Sequence, residues 1–142
     1  QAAVYTAALA NGGNIFRPHV VWKVVDSNGN VLYERKPEVV SNLRTTPRFL
    51  DEVRRGMFDV VNTPRGSGRE GKVAGLELYG KTGSAQVGSG ANRILTTWFI
   101  SFVTYRGKTY ACCVMVEGGS SGGASCAPLA AEFFRRYLLE KP

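Results

Sequence analysis

No run of apolar residues in this 142-residue chain is long enough to cross a bilayer as a helix, so a membrane-spanning helix is not expected in it. Histidine occurs once, at His19, with no His, Cys or carboxylate beside it at metal-ligand spacing, so neither a metal centre nor any other cofactor is expected. Cysteine occurs three times, at Cys112, Cys113 and Cys126, an odd number that excludes a fully paired disulfide framework. Adjacent residues on a strand point to opposite faces, so Cys112 and Cys113 cannot both reach Cys126, and the sequence does not choose between a single bridge and three buried thiols. The formal charge is +7, yet the cations are scattered, with only the short pairs Arg54-Arg55 and Arg135-Arg136. There is no basic stripe interleaved with aromatics, so a solvated basic surface is expected and no nucleic-acid partner.

What is present has the proportions of one globular unit, 44% hydrophobic and 20% charged, with no internal repeat and no dividing linker, so residues 1–142 form a single domain-sized piece. The first ten residues favour a helix from the outset, lack an N-cap, and stop on Asn11-Gly12-Gly13, as if the chain began inside a helix of a longer protein. Runs rich in β-formers, Val20 to Val25 and Val31 to Tyr33, flank the turn cluster Asp26-Ser27-Asn28-Gly29-Asn30 and predict a hairpin. Thr46-Pro47 announces a second helix, with Leu50, Val53, Met57 and Val60 or Val61 on one apolar face. The Gly-, Arg- and Ser-rich residues 62–72 predict a surface loop.

Three strands are predicted next, Val73 to Gln86, Thr97 to Tyr105 and Thr109 to Glu117, the last two joined tightly through Arg106-Gly107-Lys108 and therefore antiparallel. The third is almost continuously apolar or small, the pattern of a central strand buried on both faces. Gly118 to Gly123 then makes a tight turn into a last helix, Ser125 to Glu140, with Ala130, Phe133, Phe134, Tyr137 and Leu138 on one side. That turn lacks the lysine and Ser/Thr of a nucleotide loop. Trp98, Phe99 and Phe102 are expected to pack the sheet, and residues 87–96, Asn92 and Arg93 included, to form a solvated loop. The fold class is α+β: an antiparallel sheet of about three main strands plus a hairpin, packed by helices.

Within the first of these strands stands Tyr79-Gly80-Lys81-Thr82-Gly83-Ser84-Ala85-Gln86, in which two glycines, two hydroxyls and one cation interrupt a run that should pack. Gly83 leaves room for an extended peptide to lie along the strand. Lys81 offers a compact positive charge for a carboxylate, which the hydroxyls of Thr82 and Ser84 can also contact on a twisted strand. The backbone N–H of Ser84 is placed to serve as half of an oxyanion hole. The candidate site is therefore Lys81, Thr82, Gly83 and Ser84, a strand suited to an extended peptide-like acid.

Around it, "YTAALANGGNIFRPHVV", "DSNGNVLY", "GMFDVVN", "GKTGSAQ", "TWFISFV" and "VMVEGGSSGGASCAPLAAEFFRRYL" follow in order over essentially the whole chain. This set closely resembles the C-terminal part of the transpeptidase domain of class B penicillin-binding proteins, whose signature combines Ser-x-x-Lys, a Ser-x-Asn-type element and Lys-Thr-Gly. Only the third element is present here; no Ser-x-x-Lys and no Ser-x-Asn occurs. The resemblance implies a peptidoglycan D,D-transpeptidase that works through an acyl-serine. In it Lys81, Thr82 and Ser84 contact the substrate carboxylate, Gly83 leaves space, and Ser84 N–H joins the nucleophile's own N–H around the oxyanion.

Ser84 stands where threonine is more usual, with the hydroxyl kept. The partners implied are the D-Ala-D-Ala end of a stem peptide, β-lactams, the upstream half of the same domain and a membrane glycan polymerase. The parent protein is expected to be anchored in the cytoplasmic membrane, with this domain on the periplasmic or extracellular side. Two alternatives share the features: a non-catalytic binding or scaffold module of the same fold, and a serine β-lactamase or β-lactam sensor.

Overall fold

Asn11-Gly12-Gly13 ends the first helix as its chemistry requires. In the computed structural model, which describes residues 1–140, α1 (Ala2–Ala10) closes with the Gly13 N–H donating to the Ala8 carbonyl at 2.8 Å, while Gly12 and Gly13 turn the chain at φ 91° and 99°. The chain then runs through β1 (Asn14–Phe16), β2 (Lys23–Val25), β3 (Val31–Glu34) and β4 (Val39–Asn42). The predicted hairpin is β2 with β3, held at its turn by Asp26, whose carboxylate accepts from the backbone N–H of Asn28 at 2.9 Å and of Asn30 at 2.8 Å. Hydrogen bonds to Asn30, side chain first and backbone next, hold the Asp26 carboxyl below its ordinary value. Val20 to Trp22 lie outside the strand, and every residue of β2 and β3 is exposed. The antiparallel pair β1 with β4, which encloses this hairpin, carries no local signal in so few residues and was not expected.

α2 (Pro47–Asn62) begins where Thr46-Pro47 placed it, although the Thr46 side chain makes no capping bond. Its buried face is Leu50, Met57 and Val61; Val53, expected there, is 45% exposed because α1 and the sheet flank only part of the helix. Arg54 ties the helices together, its guanidinium donating to the carbonyls of Leu9 at 2.8 Å and Ala10 at 3.3 Å and so satisfying the open end of α1.

The main sheet has the antiparallel order β5 (Leu78–Val87), β6 (Ile94–Tyr105), β7 (Lys108–Glu117). The first strand starts at Leu78 rather than Val73, because Gly75 turns the chain at φ 82°; Val73 and Leu76 still reach the core from irregular backbone. The central strand is β6, whose Thr97, Phe99, Ser101 and Val103 are fully covered, and the apolar β7 lies at an edge, only half-buried, with one neighbouring strand. An apolar run records side-chain character, whereas centrality depends on which strands pair on either side.

One sheet face carries α3 (Ala127–Phe134), the middle of a helical rod from Gly122 to Leu139 whose two ends are wide π-turns. Cys126, Ala127, Ala130 and Phe134 pack there against Leu78, Phe99 and Val103. Of the residues expected on the inner side of that helix, Phe133 and Tyr137 instead stack on each other at the rim, ring centroids 5.6 Å apart, both at least 40% exposed. The other face packs Phe102, Tyr79 and Ile100 against Leu9, Leu50 and Met57 of the first two helices. All three cysteines are free thiols, and burial raises the pKa of Cys112 and Cys113.

Candidate active-site strand

The Lys81 to Ser84 segment lies midway along β5, the other edge of the sheet, in register with Ile100, Phe99, Trp98 and Thr97 of β6. One side of this strand therefore pairs with β6 and the other has no strand partner among the described residues. At its start the edge is covered: the Asn62 side-chain amide donates to the Leu78 carbonyl at 2.9 Å, and Tyr79 stacks on Phe102 with ring centroids 4.7 Å apart. The Tyr79 hydroxyl donates to Glu77 at 2.5 Å, a bond that raises its pKa, burial being the smaller cause.

Glycine is required at two points of the strand for different reasons. A Cβ on Gly80 would overlap Cζ of the buried Phe99 ring and stand 3.1 Å from Val61 Cγ2, so Gly80 exists to seat the core. A Cβ on Gly83 would meet only Trp98 Cβ at an ordinary 3.5 Å, so Gly83 is not demanded by packing within the chain. The space beside it is left free.

Thr82, Gly83 and Ser84 line one side of a cavity of about 180 Å³, with Ser67, Ser121, Gly122 and Gly123 opposite. The Thr82 and Ser67 hydroxyls are 2.8 Å apart. Ser121 caps the following helix, its hydroxyl accepting from Ala124 N–H at 3.1 Å. A Cβ on Gly122 would overlap the Trp98 carbonyl oxygen and stand 2.9 Å from that of Gly83, so the turn fits directly against the strand. Through Ser67, Ser121 and Gly123 the cavity borders a second one of about 390 Å³, lined by Arg65, Arg69 and Glu70.

Of the four predicted site residues, Thr82, Gly83 and Ser84 share the first cavity; Lys81 does not line it, is exposed, and donates from Nζ to the Thr82 carbonyl at 2.6 Å. Strand alternation turns the Lys81 side chain away from the face that carries Thr82 and Ser84, and Gly83 borders the cavity with its backbone alone. Ser67 was missed, since it lies in a loop far from Thr82 in sequence and only the fold joins them. Gly118 to Gly123 was read as a strand-to-helix turn, which it is, but its place against Gly83 was not foreseen. Asn92 and Arg93 lie on an exposed loop away from the cavity, and Phe99 and Phe102 pack the sheet as expected.

Comparison with known proteins bears on the family and the fold. Residues 1–136 match the penicillin binding protein transpeptidase domain. The chain belongs to that family. Peptidoglycan D,D-transpeptidase MrdA of Haemophilus influenzae is 29% identical over 156 residues, covering 99% of this chain and 24% of the relative. Peptidoglycan D,D-transpeptidase PbpA of Mycolicibacterium smegmatis is 27% identical over 99% of the chain and 29% of its own length. Among solved structures, Pseudomonas aeruginosa PBP2 superposes with a TM-score of 0.70 at 29% identity over 94% of this chain and 28% of that one. The ceftriaxone acyl-enzyme of penicillin-binding protein A from M. tuberculosis shares the fold, with a TM-score of 0.80 at 23% identity over 96% of this chain and 31% of that one.

The transpeptidase domain thus has here the α+β architecture expected, and the likeness to class B penicillin-binding proteins holds. The chain spans about a quarter of the length of the curated relatives it matches. Among its described residues no helix is long and apolar enough to cross a membrane.

Proposed function

We propose that residues 1–142 are the C-terminal portion of a penicillin-binding transpeptidase domain and supply the substrate strand of a peptidoglycan D,D-transpeptidase. The observation that carries this reading is the open edge of β5, where Thr82, Gly83 and Ser84 line one cavity, Lys81 precedes them on the same strand, and Gly83 leaves space that the fold does not use. A stem peptide ending in D-Ala-D-Ala adds to that edge as an extended strand. Lys81 and the Thr82 and Ser84 hydroxyls hold its terminal carboxylate.

A serine nucleophile on the upstream half of the domain attacks the penultimate carbonyl. The Ser84 N–H then stabilises the oxyanion, and loss of such a donor costs about 10²–10³ in rate. The C–N bond to the terminal D-alanine breaks, D-alanine leaves with a proton, and the acyl-serine passes to an amine of a neighbouring strand. β-Lactams mimic the same peptide end and stop at the acyl-serine. No Ser-x-x-Lys occurs in this sequence, so the 142 residues alone neither acylate nor turn over. The partners that go with this reading are the upstream half and a membrane glycan polymerase, and the parent is anchored in the cytoplasmic membrane with this domain outside.

The test is to incubate this chain and, separately, the full parent gene product with a fluorescent penicillin, followed by denaturing electrophoresis and intact mass. A covalent adduct on the parent alone is the expected result. A parent no longer than this chain that stays unlabelled sinks the enzyme reading in favour of a scaffold module.

A further inference from the structure

The roles given to the Lys81 to Ser84 strand leave one partner of it unexplained. Ser67 Oγ lies 2.8 Å from Thr82 Oγ1, and neither hydroxyl has another protein partner among the bonds observed. Ser67 is held there by its backbone: Gly66 N–H donates to the Thr63 carbonyl at 3.0 Å, Gly68 N–H to the Val60 carbonyl at 2.9 Å, and a Cβ on Gly123 would overlap the Ser67 carbonyl oxygen. Glycine at Gly123 thus lets the helix-entry turn close over Ser67 while its hydroxyl faces the strand.

A hydroxyl has one proton to give and two lone pairs to receive with. Two hydroxyls in contact share one proton between them, and the second points elsewhere. If Thr82 donates to Ser67, it presents lone pairs to an arriving carboxylate and repels it. If Ser67 donates to Thr82, the Thr82 proton is free to be given to the carboxylate.

We propose that Ser67 is a positioning residue, which donates its hydroxyl proton to Thr82 Oγ1 and thereby commits the Thr82 proton to the substrate carboxylate. This rests on the reading of the strand as a carboxylate holder. It adds that the Thr82 contact depends on a side chain fifteen positions upstream, in a different element.

The experiment uses the full-length parent and measures second-order acylation by benzylpenicillin and by its methyl ester, from intact-mass time courses. The variants are Ser67→Ala, Ser67→Thr, Thr82→Val and the Ser67→Ala/Thr82→Val double. Ser67→Ala should slow acylation by benzylpenicillin about two- to tenfold, the range of one neutral hydrogen bond, and leave the ester unchanged. Ser67→Thr should restore the rate, and in the Thr82→Val background Ser67→Ala should have no further effect.

A Ser67→Ala variant that acylates like wild type, that slows ester and acid equally, or that keeps its effect without the Thr82 hydroxyl overturns the proposal. If Ser67→Ala fails to fold, Ser67→Cys, of similar size but a weak donor, replaces it with the same expectations. Failure of the wild type itself to acylate is a different outcome: it removes the transpeptidase reading, and this proposal with it.

Discussion

Two glycines three residues apart on one strand should respond oppositely to the same added methyl. In Gly80→Ala the new carbon would overlap Phe99 Cζ and stand 2.8 Å from Phe99 Cε2 and 3.1 Å from Val61 Cγ2, against a favourable carbon–carbon separation of about 3.5–4.0 Å. The Phe99 ring has little freedom to retreat, because it is fully buried and the backbones of Gly68 and Gly71 also lie against it, their hypothetical Cβ atoms 2.8 Å and 3.0 Å from the ring. The strain must move β5 or the ring, an overpacking cost of about 2–3 kcal/mol.

For a chain of this size that is a loss of roughly 5–10 °C in Tm by circular dichroism. Gly83→Ala meets only Trp98 Cβ at 3.5 Å and should change Tm by no more than about 1–2 °C, because its backbone is extended and any residue tolerates it. The clash is specific to one ring, so Phe99→Leu in the Gly80→Ala background should cost less than Phe99→Leu alone, with a coupling of about 1 kcal/mol or more. A Gly80→Ala protein that melts with wild type, or a Gly83→Ala protein destabilised as much, would falsify the assignment of Gly80 to packing and Gly83 to the ligand.

The tie between the first two helices should be visible in urea unfolding. Arg54→Ala leaves the Leu9 and Ala10 carbonyls without their donor and should cost about 1–2 kcal/mol, whereas Asp51→Asn, removing a mostly exposed ion-pair partner 3.0 Å from Arg54, should cost under about 0.5 kcal/mol. Equal effects would place the stabilisation in the ion pair instead. Glu132 is held below its ordinary carboxylate value by hydrogen bonds from Arg135 and then Arg136. Its contribution is therefore present above the unfolded pKa of about 4 and fades as pH falls through the lower folded value, so Glu132→Gln should lower Tm at neutral pH, converge on wild type at acid pH, and so flatten the acid limb of a Tm-against-pH curve.

Burial raises the pKa of Cys112 and Cys113, and Cys126 is fully buried, so Ellman's reagent at mildly alkaline pH should titrate the native thiols slowly and all three at once in denaturant. Fewer than three in denaturant without reductant would mean that a disulfide had formed.

The features determined by the sequence alone are those that a few neighbouring residues can enforce. Asp26 to Asn30 make their turn by bonding their own backbone, Thr46-Pro47 starts a helix because proline fits its first turn, and Asn11-Gly12-Gly13 stops one because glycine accepts a positive φ. The Lys-Thr-Gly-Ser segment and its family belonged to the same legible layer, since both are ordered strings of residue types. Tertiary structure decided whatever required a partner far along the chain. β6 rather than β7 is central because pairing on both sides counts for more than apolar content, and β1 found β4 across a hairpin that gives no hint of it.

Ser67 and the Gly122-Gly123 turn came to lie against Thr82 and Gly83 in the same way. Which hydroxyls meet, and which backbones approach closely enough to exclude a Cβ, depends on the packing of β5, α3 and the loop before the strand, and no local run of sequence records that.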